Sequence, residues 1–324
     1  MDIYVKKAII HQFSPDDTDL YLADKFLNIT PKIEEYLRKK IERVYSDEAK
    51  TGIFEEDNPF LELISDDLLD TSVAVANRWK EEFVVSENQK TNDLVFIQFS
   101  KEGVDHFAFL RITLRETLTH LGGEVDNPIK LTQNNLPGFG TGADEALVIN
   151  LQSRKYHLIE KRIKYNGTFL NYFSENLLQA QPKISPKKSI KALEKTAQRI
   201  AESFNTDDFQ FQSKVKSAIF NHIEEENKLS PEKLADDLFD DNLTARLSFI
   251  DQVKEAIPEP VTFEEIDSTR QLKKFENQKL SLSNGIELIV PNSVYEDAES
   301  VEFILNDNGT YSILIKNIED IQSK

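Results

Sequence analysis

Lys187, Lys191, Lys195 and Arg199 recur every four residues in one stretch of a 324-residue chain. Ammonium and guanidinium groups at that spacing suit one chemistry above others, the neutralisation of a row of phosphates. At about 100° per residue the four drift only about 40° per step on a helix, so they share one face, and Lys188 falls inside the same arc. Ser185-Pro186 just before them offers an N-cap and a proline at the first helical position. Ile190, Leu193, Ala197, Ile200 and Phe204, three and four apart, form an apolar stripe on the opposite side. Such a helix docks its apolar side on the protein and holds about five cations outward. Lys161, Arg162 and Lys164 lie upstream, and Lys183 joins the two groups. A smaller cluster, Arg270, Lys273 and Lys274, has the i, i+3, i+4 spacing of one helix side. The plain alternative is a solvated helix face, or a row that pairs with acidic surfaces of this chain or of a second subunit.

The charge context sharpens the choice. The chain carries 39 Lys and Arg against 57 Asp and Glu, a net −18. Residues 151–200 alone hold eleven basic and three acidic residues, a local +8, so the remainder sums to −26. A basic island in an acidic protein is a candidate face for an anionic partner. Contacts of Lys and Arg with phosphates give affinity without base readout, and they weaken as salt rises.

Other chemistries find little footing. Gly138-Phe139-Gly140-Thr141-Gly142-Ala143 spells G-x-G-x-x-A, but Asn134-Asn135-Leu136-Pro137 precedes it and strand-like Ala146 to Leu151 follows, so it reads as a connecting loop. No P-loop and no G-x-S-x-G elbow occurs. His11, His106, His120, His157 and His222 show no metal-ligand spacing, and His157 and Glu160 would point to opposite faces of a strand. With no Cys there is no disulfide, thiolate zinc site or Cys nucleophile. Ser230 to Phe239 and Leu243 to Ala256 loosely suggest a helix-turn-helix. The second helix offers Arg246 and Lys254 against Asp251 and Glu255, too few net cations for groove reading, so a helical packing unit is expected. No metal, cofactor or catalytic group is expected.

The elements follow from periodicity. Ile3 to Phe13 is β-like. Thr30-Pro31 opens a helix carrying Ile33, Leu37, Ile41 and Val44. Asn58-Pro59 opens a second helical candidate through Leu69, and Ser72 to Phe83 a third. Leu94 to Phe99 and His106 to Leu114 flank Gly103 as a hairpin would. Ile129 to Leu131, Ala146 to Leu151 and Arg154 to Ile159 are strand candidates. Gly167 to Leu178, with Phe169, Leu170, Phe173 and Leu177, reads as a helix ended by Gln181-Pro182. Helices are predicted at Phe209 to Glu226, Pro231 to Phe239 and Leu243 to Ile257. Thr262-Phe263-Glu264-Glu265 fits a capping box. Asn284-Gly285 and Asn308-Gly309 read as two-residue hairpin turns. No internal repeat is visible. No apolar run reaches the roughly 18 residues of a membrane span, and the N-terminal residues lack a signal-peptide pattern. The 21 Phe and 9 Tyr argue against wholesale disorder.

Several blocks resemble the bacterial nucleoid-associated protein family of the YejK/NdpA type. These are Ala8-Ile9-Ile10-His11-Gln12, the run Tyr156-His157-Leu158-Ile159-Glu160-Lys161-Arg162 followed by Phe169-Leu170-Asn171-Tyr172-Phe173 and the Lys187/Lys188 region, and Ser268-Thr269-Arg270-Gln271-Leu272-Lys273-Lys274-Phe275. The stretch between Ile257 and Ser268 is shorter than the family pattern. The resemblance implies a cytoplasmic bacterial protein of the nucleoid with no established catalytic residues, and both basic clusters fall in matching blocks.

The sequence therefore predicts an α+β protein. Its parts are an N-terminal mixed α/β domain over 1–152, a helical segment carrying the basic island over 153–257, and a C-terminal β-rich module over 258–324. The expected function is non-enzymatic, sequence-nonspecific DNA association through the basic helix face. The alternative is an acidic protein-interaction module brought to the nucleoid by a DNA-handling partner. A homodimer could join two basic patches.

Overall fold

Leu94 to Phe99 and Phe107 to Ile112 are apolar at alternating positions of both parities, which demands a sheet covered on both sides. The computed structural model of the chain supplies one. It describes residues 1–16, 19–83, 90–120, 129–206, 209–263, 266 and 268–322, with the backbone alone at 209, 270 and 271. Two compact units result, Met1–Ser185 and Pro186–Lys324. The architecture is mixed α+β, as the sequence predicts.

The first unit runs β1 (Ile3–Ser14), β2 (Asp19–Tyr21), α1 (Pro31–Glu42), β3 (Lys50–Ile53), a 3-10 turn (Leu61–Leu63), α2 (Leu68–Phe83), β4 (Asn92–Lys101), β5 (Val104–Thr113), β6 (Arg115–His120), β7 (Ile129–Asn135), β8 (Glu145–Asn150), β9 (Lys155–Ile159), β10 (Ile163–Tyr165), β11 (Thr168–Leu170) and a π-turn (Phe173–Leu177). Seven strands form an antiparallel sheet in the order β2-β1-β4-β5-β8-β9-β3. The two parities of the central strands feed two cores. Phe96, Phe109 and Leu147 pack with Trp79, Phe83 and Phe173 on one side. Val95, Ile97, Ala108, Leu110 and Val148 pack with Leu37, Ile41 and Val44 on the other. The strands sit between α1 and the α2/π-turn layer.

Two helix expectations in this unit fail for identifiable reasons. Asn58-Pro59 opens no long helix. The Asn58 side chain accepts from the Phe60 N–H at 2.9 Å and donates to the Leu178 carbonyl at 3.1 Å, which holds a turn. The helix proper waits for Asp67, whose carboxylate accepts from the Leu69 N–H at 2.8 Å. Gly167 to Leu178 is helical only toward its end, as the π-helical turn Phe173–Leu177. Asn166 (φ 49°) and Gly167 (φ 79°) are both left-handed, which makes the two-residue turn of a hairpin pairing Tyr165 with Thr168. The apolar spacing that suggested a helix is split between β11 and the π-turn.

His11 gives this unit a pH sensitivity. Its Nδ1 accepts from the Ala23 N–H at 3.1 Å, so Nε2 carries the proton and faces the Ser72 Oγ at 2.9 Å. Ser72 in turn donates to the Leu69 carbonyl at 2.7 Å. Burial lowers the His11 pKa below its ordinary 6.5. Below pH 6.5 the unfolded chain takes up a proton that the folded chain refuses, so stability falls as pH drops through that region. His11→Gln should flatten this part of a urea-midpoint against pH curve. An unchanged curve would remove His11 as the cause.

The second unit runs α3 (Pro186–Ser203), α4 (Phe209–Glu226), β12 (Lys228–Leu229), α5 (Pro231–Leu238), α6 (Leu243–Ala256), β13 (Val261–Thr262), α7 (Thr269–Phe275), β14 (Asn277–Ser281), β15 (Glu287–Pro291), α8 (Asn292–Tyr295), β16 (Val301–Leu305) and β17 (Tyr311–Ile315). Its core joins Ile190, Leu193 and Ile200 of α3 to Ile219, Leu234, Phe249 and Phe275. Glu264 and Glu265 of the expected capping box lie outside the described residues. The hairpins at Asn284-Gly285 and Asn308-Gly309 form, with three-residue loops in place of two-residue turns. In each only the Gly is left-handed (φ 87° and 79°). Gly285 N–H bonds the Leu282 carbonyl, and Gly309 N–H bonds that of Asn306, each at 2.9 Å. The glycine then forms the bulge that a type I turn needs to rejoin the strand.

The two hairpins are related by a shift of 24 residues, from Gly285 to Gly309. The closing bonds obey the same shift: Asn292 N–H to Glu276 O at 2.9 Å, and Lys316 N–H to Ser300 O at 2.8 Å. This is a structural repeat, hidden in the sequence because only the Asn-Gly pair recurs visibly.

Candidate nucleic-acid interface

The basic helix forms as its residue pattern dictates. Pro186 begins α3, and Pro186, Ser189, Ile190, Leu193, Thr196, Ala197, Ile200 and Ala201 are buried. Lys187, Lys188, Lys191, Lys195 and Arg199 are exposed. From 187 to 199 the row spans about 18 Å at 1.5 Å per residue. Duplex DNA carries one charge per roughly 1.7 Å of axis, so the row matches a run of about ten phosphates counted over both strands. Among the described residues, Lys188, Lys191 and Lys195 make no ion pair. Arg199 donates from Nη2 to the Gln252 side chain on α6, a neutral partner.

The other cations of the island belong to the first unit. Lys161 is committed to Asp144 at 2.6 Å. Burial opposes the Asp144 charge, but Lys161, the Thr113 N–H at 2.9 Å and Arg111 still hold its carboxyl below the usual range. Arg162 donates from Nε to Asn171 at 3.4 Å. Lys164 is exposed on β10, opposite Phe169. Lys183 is anchored by its backbone N–H to the Thr51 carbonyl at 2.8 Å. The cations of the island are thus divided between the two units.

In the smaller cluster, Lys273 and Lys274 are exposed on α7. Lys274 lies over the Phe275 ring at 4.4 Å. The Arg270 side chain lies outside the described residues. Helix α6 spends its cations on α5: Arg246 pairs with Asp236 at 3.1 Å and Lys254 with Glu232 at 3.0 Å. Those pairs staple α6 to α5.

The G-x-G-x-x-A segment has an occupant of its own. Lys40, fully buried, donates to the carbonyls of Gly138 (2.9 Å), Thr141 (2.5 Å) and Pro137 (3.4 Å) and lies 4.5 Å from the Tyr36 ring centroid. The Tyr36 hydroxyl also donates to Pro137 O, at 3.0 Å. The loop's carbonyls therefore face inward on an ammonium, the opposite of the N–H cradle a nucleotide phosphate needs. A lone Lys amid Ile33, Leu37 and Ile41 was the available sequence signal. Burial, then Arg43 and Arg115, push the Lys40 pKa down to about 8, while Asp144 pulls the other way. Between pH 8 and about 10.5 the unfolded chain keeps this proton and the folded chain releases it, so stability gains a positive slope with pH there. Lys40→Met should lose that slope in paired urea titrations at pH 7.5, 9 and 10. Parallel wild-type and variant curves would refute the assignment.

The family described as "Nucleoid-associated protein YejK" matches residues 9–321 of the chain. No curated protein sequence matches it. Among the described residues no helix is long and apolar enough to cross a membrane.

Proposed function

Because the chain belongs to this family of nucleoid-associated proteins, which places it at the bacterial nucleoid in the cytoplasm, we propose that it associates with DNA directly, weakly and without sequence preference, through the outward cations of α3. The observation that carries this reading is the row itself. Lys188, Lys191 and Lys195 face solvent without acidic partners among the described residues, in a chain of net −18 that has acids to spare. Three lysines without acidic partners in such a chain are available to an external polyanion. Lys187 and Arg199 extend it. Lys161, Arg162, Lys164 and Lys183 in the first unit, and Arg270, Lys273 and Lys274 on α7, would assist. The reading requires no catalytic step, metal or cofactor.

The test is a mobility-shift titration at two salt concentrations, comparing the wild type with the Lys187→Glu, Lys191→Glu, Lys195→Glu triple variant. Weaker binding and a shallower salt response are expected. Equal binding by both proteins would remove α3 from the account.

The net charge favours a second reading, in which acidic surfaces dock on a basic DNA-handling protein. A partner that stays bound in a pull-down after nuclease treatment supports it; loss of every partner would sink it. A homodimer would present two α3 rows to one duplex, and sedimentation of the full chain reads that state directly.

A further inference from the structure

Of the chain's 21 phenylalanines, Phe169 is the most exposed among those described, at 62%. Two others are also well exposed, Phe26 and Phe139, and each is covered by a cation. Lys7 lies 5.3 Å from the Phe26 ring and Lys39 lies 5.4 Å from the Phe139 ring, which Tyr36 also meets edge-on. Among the described residues, Phe169 has neither a ring partner nor a cation on its face.

Its setting is ordered by pairing and basic. The hairpin β10–β11 buries Ile163 against the first core and packs Leu170 there in part, so this pair fixes the inward face. Alternation then turns Lys164 and Phe169, which are direct cross-strand partners, to the outward face. Arg162 and Asn171 lie just outside the strands, two residues further from the turn than Lys164 and Phe169; alternation carries them to the same side, and they bond each other, Arg162 Nε to Asn171 Oδ1 at 3.4 Å. A half-buried antiparallel ribbon normally carries polar residues outward. Here it carries an open aromatic ring directly across from an ammonium, with a guanidinium two residues along the facing segment.

An open π-face flanked by cations fits a ligand that offers planar rings and negative charge at short intervals. Single-stranded DNA has both. Its unpaired bases stack on an aromatic side chain without regard to sequence, and its phosphates meet the cations. Duplex DNA keeps its bases stacked on one another and offers this ring nothing. We infer that the outward face of β10–β11 is a stacking platform for single-stranded DNA, with Phe169 carrying a base and Arg162 and Lys164 contacting the adjoining backbone. The inference rests on the nucleic-acid reading above for its ligand class, and on α3 for nothing.

The experiment is fluorescence anisotropy of a labelled oligo-dT and of a labelled duplex, titrated with the full chain at several salt concentrations. Phe169→Ala should weaken oligo-dT binding by between about fivefold and a hundredfold, the range that loss of one stacked base gives. It should leave the salt slope unchanged, because no cation is lost, and leave duplex affinity unchanged. Phe169→Trp should restore oligo-dT binding. Lys164→Ala should reduce the single-strand salt slope by about 0.7, the value for one phosphate contact. Oligo-dT binding that Phe169→Ala leaves intact overturns the inference. So does a change in sedimentation mass on Phe169→Ala without a change in oligo-dT affinity, which would make the ring a self-association contact. Duplex binding that depends on α3 alongside either result would retain the proposed function and discard only the platform.

Discussion

Replacing Lys187, Lys191 and Lys195 with Glu is expected to lower duplex affinity at least about a hundredfold near 0.15 M salt. The magnitude follows from counterion release. Each phosphate contact contributes close to 0.9 to the slope of log K against log salt, so three contacts contribute about 2.7. Extrapolated from 1 M to 0.15 M salt, that slope amounts to roughly two decades of affinity. Charge reversal adds repulsion to the loss. The variant should fold normally, because the three side chains are exposed and the stripe that docks α3 is untouched. The slope is the better readout. A variant whose affinity falls while its slope stays at the wild-type value has lost structure, and phosphate contacts on α3 would then be the wrong explanation.

The second large effect is on stability. Glu145→Ala should cost the first unit about 3–5 kcal/mol, the usual penalty for stranding a buried charge. Arg111 Nε donates to Glu145 at 2.6 Å, and neither side chain is more than 8% exposed. The Tyr172 hydroxyl donates to the same carboxylate, and Trp79 Nε1 donates to that hydroxyl at 3.0 Å. Burial, reinforced by Glu145, raises the Tyr172 pKa well above its ordinary value, so Tyr172 stays a donor. Burial works against the Arg111 charge too, yet Glu145, Tyr172 and Asp144 together more than offset it. A loss of this size is a large fraction of the roughly 5–15 kcal/mol that holds a domain together. Trp79 is the chain's single tryptophan and is fully buried beside this network, so its fluorescence in urea reports the unit concerned. The Arg111→Met, Glu145→Leu double variant should recover most of the loss, because removing both charges strands neither. A Glu145→Ala transition within 1 kcal/mol of wild type would show that the pair is not what secures this core.

Local chemistry was legible wherever one residue's neighbours in sequence decide its environment. The α3 wheel is such a case: eight residues on one side are buried and the cations on the other are exposed. The bounds of α4 were readable for the same reason. What failed depends on contacts distant in sequence. Phe169 sits at helical spacing from Phe173, but Asn166-Gly167 turns the chain first, and only the docking of Ile163 and Leu170 decides which face of the ribbon points outward. The structure around Lys40 is equally distant, because its carbonyl partners come from residues 137 to 141, about a hundred positions away. The boundary inside the basic island was equally hidden, because Ser185 and Pro186 are adjacent in sequence yet fall in different compact units.

The strand order of the first unit also sets the tempo of its folding. β1 pairs with β4, joining Val5 to Phe99, and β3 pairs with β9, joining Lys50 to Leu158. On the ribosome, β1 therefore has no central neighbour until residue 101 has emerged, and β3 has none until residue 159. The tandem hairpins at the other end close over a handful of residues each. Non-local pairing is slow and local pairing fast, so the nascent chain carries apolar, unmated strand edges through much of its synthesis. That interval, before the distant partner strands exist, is when unpaired edges of this chain are open to aggregation.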